Sequence, residues 1–100
     1  MAFDLDQLPR ERIAEFCRQY CIRRLAVFGS ALREDFTSES DVDVLVEFEP
    51  SARVGLGFFS IQEELSELLG RKVDLSTEGF LSKYFRDEVL AEAKSIYVAA

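Results

Sequence analysis

Residues 25–50 read LAVFGSALREDFTSESDVDVLVEFEP, and the two halves of this stretch decide the fold. Leu25, Ala26, Val27 and Phe28 form a short apolar run stopped by Gly29, which predicts a buried strand over 23–28 ending in a turn. Ser30 is a good helix cap, so one or two helical turns are expected over 30–34. Residues 35–40 are polar and read as a loop. The second half alternates cleanly. Val42, Val44, Val46 and Phe48 share one face of a strand over 41–48, and Asp41, Asp43, Leu45 and Glu47 share the other. Pro50 closes that strand.

Upstream, Ile13, Phe16, Cys17 and Tyr20 fall on one face of a helix expected over 9–21, with Pro9 in its first turn. Downstream, residues 51–57 carry two glycines and read as a loop. Phe58, Ile61, Leu65, Leu68 and Leu69 mark a second amphipathic helix ended by Gly70. A short strand over 71–76 points Val73 and Leu75 one way, Lys72 and Asp74 the other. A last helix is expected over 81–90 and a closing strand over 96–98. No repeat or linker interrupts the order, so residues 1–100 are expected to form one domain with a three- or four-stranded sheet and a few helices.

The net charge of −7, with no basic run longer than two residues, argues against a surface that tracks nucleic acid. No apolar stretch approaches the roughly 20 residues that span a bilayer, and the start of the chain lacks a signal-like apolar core, so a cytoplasmic, membrane-free protein is expected. Cys17 and Cys21 are read as reduced thiols on or near a core face. With no His and no further Cys, a zinc site is not expected.

The chemistry resides in the carboxylates. If the strands bearing Asp41, Asp43 and Asp74 are neighbours, three like charges converge on one surface. At about 4 Å, two carboxylates repel by roughly 4 kcal/mol at an effective dielectric of 20. Either one is protonated or cations bind, and hard, oxygen-preferring ions such as Mg2+ suit this donor set. A third carboxylate allows a two-metal site for in-line displacement at phosphorus. Gly29 and Ser30, at the end of the preceding strand, form a candidate phosphate cradle of backbone N–H groups and a hydroxyl. Each part alone has a plainer reading, as a turn and cap or as a solvated strand face. A calcium loop is excluded, because its fifth position would be Leu45 and no glycine follows. The combination of Gly-Ser, ten residues, Asp-Val-Asp and a later Val-Asp-Leu is far more specific.

This combination resembles the signature of the DNA polymerase beta-like nucleotidyltransferases, and most closely their small members, the minimal nucleotidyltransferases or MNT-type antitoxins. The resemblance covers residues 23–76. It implies an α/β (α+β) nucleotidyltransferase-like fold, a small mixed β-sheet flanked by helices. It also implies two Mg2+ ions held by Asp41, Asp43 and Asp74, with ATP as the substrate nucleotide. Asp74 would help deprotonate the acceptor hydroxyl. Gly29 and Ser30 would hold the β- and γ-phosphates, and Arg33 matches a basic position that reaches phosphate. Glu34 and Asp35 depart from the pattern, which often has glycine after this arginine.

The implied reaction is transfer of AMP to a tyrosine of a HEPN-domain toxin, the chain acting as its antitoxin. Two alternatives stand beside it: a non-catalytic module that neutralises its partner by occlusion, and the catalytic subunit of a split enzyme for a small molecule. Tyr84 and Phe85 are weak candidates for base stacking, and Lys83 and Arg86 for phosphate contact. The apolar end SIYVAA is a candidate edge for a homo-oligomer.

Overall fold

The structure, a computed structural model, describes residues 5–32, 41–52, 57–77 and 86–99. After a single turn at Leu5–Gln7 come α1 (Arg10–Gln19), β1 (Ile22–Phe28), a 3-10 turn (Gly29–Leu32) and β2 (Val42–Phe48). α2 (Phe58–Leu69), β3 (Val73–Thr77), α3 (Arg86–Glu92) and β4 (Lys94–Val98) follow. The strands form one sheet in the order β3-β2-β1-β4. β1 is antiparallel to β2 and to β4, while β2 and β3 are parallel. The sheet is therefore mixed, as expected. A parallel neighbour cannot be reached by a hairpin, and α2 supplies the crossover.

The apolar spacing explains which face is covered. Ile13, Phe16 and Cys17 of α1 and Ile61 and Leu65 of α2 pack with Leu25, Val27, Val42, Val44, Val46, Val73, Leu75 and Ile96 in one core. Both helices thus lie on one side of the sheet, and the alternate residues of β2 and β3 face the other side. Burial pushes the Cys17 thiol up to about 12, so it stays protonated and inert. The Tyr20 hydroxyl donates to the Glu64 carboxylate and ties α1 to α2. That bond, then burial and the Glu64 charge, raise the Tyr20 pKa.

Several boundaries differ from the expected ones. α1 stops at Gln19, not at residue 21, because Cys21 turns left-handed at φ 55°. β1 then starts at Ile22, and β3 runs two residues later than expected at its start, from Val73. Only Arg86–Glu92 of the last helix is described, residues 81–85 lying outside the described part, and the closing strand is longer, Lys94–Val98. Arg23 is a bulge: Ile22 pairs with Phe48 and Arg24 with Glu47. Two consecutive arginines therefore reach one carboxylate, at 3.4 Å for Arg23 and 3.2 Å for Arg24. Arg24 Nε also donates to Ser95 Oγ at 2.8 Å, linking three strands.

Cys21 occupies a position that usually belongs to glycine, since a left-handed residue with a Cβ is strained by about 1–2 kcal/mol. Cys21→Gly should raise stability by about 0.5–1 kcal/mol in urea denaturation, after the extra freedom glycine gives the unfolded chain. Cys21→Ser, which keeps the Cβ, should not. Equal stability of the two variants would show that the turn carries no such strain.

Candidate active site

The parallel pairing of β2 with β3 sets the site. Val42 pairs with Val73, Asp43 with Asp74 and Val44 with Leu75. Asp43 and Asp74 therefore stand side by side on neighbouring strands about 4.8 Å apart, on the face opposite the core. Asp43 is half-buried and Asp74 is exposed. One pleat earlier, the Val42 N–H donates to the Lys72 carbonyl at 2.9 Å, which brings Lys72 alongside Asp41. The Lys72 ammonium lies 4.0 Å from Asp41 Oδ2.

β3 is an edge strand, and its outward N–H groups need partners. α2 provides them. The Val73 N–H donates to Ser66 Oγ at 3.0 Å and the Leu75 N–H to Gln62 Oε1 at 3.0 Å. These two bonds flank Asp74 and hold its strand in register. Sequence reading missed Gln62 and Ser66. The available signal was their spacing of four residues, each directly following a core position, Ile61 and Leu65.

Gly29 ends β1 beside this pair. Phe28 pairs with Asp43, so the chain turns at Gly29 directly against the Asp43 side chain. Gly29 has φ +70°, and a Cβ built on it would stand 2.5 Å from Asp43 Oδ2. The backbone conformation favours glycine, and a Cβ here would push the Asp43 carboxylate aside. The backbone of Ser30 continues into the Gly29–Leu32 turn. Arg33, Glu34 and Asp35 lie outside the described residues, as do Lys83, Tyr84 and Phe85. Arg86 opens α3, on an element with no buried residues.

The donor chemistry fits a hard divalent cation: carboxylates on adjacent strands, one pressed against a backbone that lacks a Cβ. Among the described residues, no three acidic, histidine or cysteine side chains are gathered closely enough to close on one ion. The register brings Asp43 and Asp74 together. Asp41 shares their face but stands next to Lys72. The same face is less polar than alternation implied, because Leu45 is 1% exposed and Ala26 0%. A cavity of about 440 Å³, lined by Gln19, Tyr20, Cys21, Ser51, Ala52, Gly57, Ser60 and Ile61, opens at the opposite ends of β1 and β2 and takes no part in this chemistry. Among the described residues no helix is long and apolar enough to cross a membrane.

Comparison with known proteins matches residues 10–96 to the nucleotidyltransferase domain family. The protein adenylyltransferase MntA of Thermococcus cleftensis is 37% identical over 84 residues, covering 84% of this chain and 82% of that protein. A solved structure provisionally assigned as a minimal nucleotidyltransferase is 35% identical, with a TM-score of 0.73, covering 92% of this chain and 95% of the other. A solved complex of a tri-AMPylated HEPN toxin with an MNT antitoxin from Shewanella oneidensis contains a chain matching at TM-score 0.62. It covers 90% of this chain and 70% of its own, and at 18% identity it shows the shared fold alone.

Two glycines test the packing against Asp43. Gly29 and Gly70 share a left-handed conformation, but a Cβ on Gly70 would meet nothing within 4 Å. Gly29→Ala and Gly70→Ala should each lose about 1 kcal/mol or more in denaturant titration. Only Gly29→Ala should also lose nucleotide transfer. Equal activity loss in both would reduce Gly29 to a turn residue.

Proposed function

This chain belongs to the nucleotidyltransferase domain family and is a nucleotidyltransferase enzyme, and on that premise we propose that it transfers AMP from ATP to a tyrosine hydroxyl of a HEPN-type toxin, acting as the antitoxin of the pair. The observation that carries this reading is the register that sets Asp43 against Asp74, with the Gly29 backbone closed onto Asp43. The name of the T. cleftensis relative and the AMP-modified toxin in the S. oneidensis complex support the choice of group and acceptor. An acidic chain of net charge −7 also complements a partner basic enough to bind RNA.

In this reading Asp43, Asp74 and Asp41 are the residues that would hold Mg2+. When bound, the metal neutralises triphosphate charge and polarises the phosphorus centre. Backbone N–H groups after Gly29, together with the Ser30 hydroxyl, receive the β- and γ-phosphates. Asp74, the most exposed of the pair, takes the proton of the acceptor hydroxyl. The tyrosine oxygen bonds to the α-phosphorus, the bond to the bridging oxygen breaks, and pyrophosphate leaves. Arg33 is assigned to phosphate contact by the family resemblance alone. Ser66 and Gln62 hold β3 so that Asp74 meets the acceptor at the same place in every turnover.

The test is intact-mass measurement after incubation with ATP, Mg2+ and the toxin. The toxin should gain one or more AMP groups. Asp43→Asn and Asp74→Asn should each lower the rate on the order of a hundredfold or more while the chain stays folded. A toxin silenced without any mass gain would support occlusion instead, and unchanged incorporation in either variant would remove these carboxylates from the reaction.

A further inference from the structure

The parallel register that pairs Asp43 with Asp74 leads back, through the core-facing Val42–Val73 pair, to Asp41 and Lys72 on the carboxylate face. Val42 stands opposite Val73, and the Val42 N–H bonds to the Lys72 carbonyl at 2.9 Å. Lys72 is therefore held by backbone geometry, not by chance of a long side chain, as the cross-strand neighbour of Asp41. The charges along the face run Asp41 and Lys72, then Asp43 and Asp74. Lys72 is the cation that approaches this set among the described ion pairs, with Nζ 4.0 Å from Asp41 Oδ2. Its side chain is 81% exposed, against 45% for Asp41, so the ammonium is free to leave without disturbing the core.

We propose that Lys72 is a built-in competitor for Asp41: its ammonium holds the carboxylate that a divalent cation needs, and so weakens binding of the metal alone. This rests on the reading of Asp41, Asp43 and Asp74 as the metal-holding set. A triphosphate changes the balance. It brings several negative charges to the same face, and a displaced ammonium finds new partners there. Lys72 thus makes occupancy by metal depend on arrival of the nucleotide, a specificity for the metal–nucleotide complex over the free ion.

The probe is Mn2+ alone, titrated without nucleotide and followed by the loss of its free-ion electron paramagnetic resonance signal. An exposed pair contributes about 0.2–1 kcal/mol, so Lys72→Met should tighten Mn2+ about 1.4- to fivefold, and Lys72→Glu by more. Lys72→Arg should bind as the parent chain does. The differences should shrink at 1 M salt, where the screening length falls to about 3 Å. An exposed side chain should leave the unfolding transition within about 0.5 kcal/mol in all three variants, which separates the effect from misfolding. Equal Mn2+ affinity across parent, Met and Glu variants overturns the role of Lys72 while leaving the metal-holding set intact. Absence of Mn2+ binding in the parent and in all variants overturns both.

Discussion

The placement of β3 beside β2, parallel and with Asp74 opposite Asp43, is the constraint on which the rest depends. Two carboxylates on adjacent strands, about 5 Å apart, repel by about 3 kcal/mol at an effective dielectric of 20. The fold tolerates this because the other face of both strands is apolar: Val42, Val44, Val46, Val73 and Leu75 enter one core with α1 and α2. Slipping β3 by one residue would relieve the repulsion but expose Val73 and Leu75. Gln62 and Ser66 oppose the slip as well, since each bonds an N–H on the outer edge of β3. The register of the two carboxylates is thus held by interactions outside the site, and such a donor pair suits a hard divalent cation.

The second constraint comes from β1. Its pairing with β2 brings the chain to Gly29 directly against Asp43, where a Cβ would displace the carboxylate. One glycine therefore joins the end of β1 to the carboxylate pair. At the far end of the same strands, the Arg23 bulge, Arg24, Glu47 and Ser95 hold β1 to its two neighbours through exposed contacts of modest strength. Strong packing fixes the register centrally, and these polar contacts trim its far end.

Much of this was legible in the sequence, for physical reasons. Alternation along 41–48 marked β2 and its polar face because a half-buried strand has a period of two. Gly70 marked the end of α2 because its left-handed conformation suits glycine. Other features were not legible. Cys21 ends α1 in a left-handed conformation that its residue type does not announce. Leu45 lies on the carboxylate face yet is buried, which period alone cannot distinguish from a solvated position. Strand order is set by packing between distant segments, so neither the adjacency of Asp43 and Asp74 nor the clip from α2 follows from local pattern. The family resemblance anticipated the adjacency, and geometry supplied the clip.

The central claim is that Asp43 and Asp74 share a cation beside the Gly29 turn. Paramagnetic broadening of backbone amide resonances by trace Mn2+ tests it most directly. The account predicts that the amides of Gly29, Asp43 and Asp74 broaden first and together, ahead of the acidic residues of α3, Asp87, Glu88 and Glu92. Broadening that begins on α3, or that reaches Asp43 without Asp74, would contradict it.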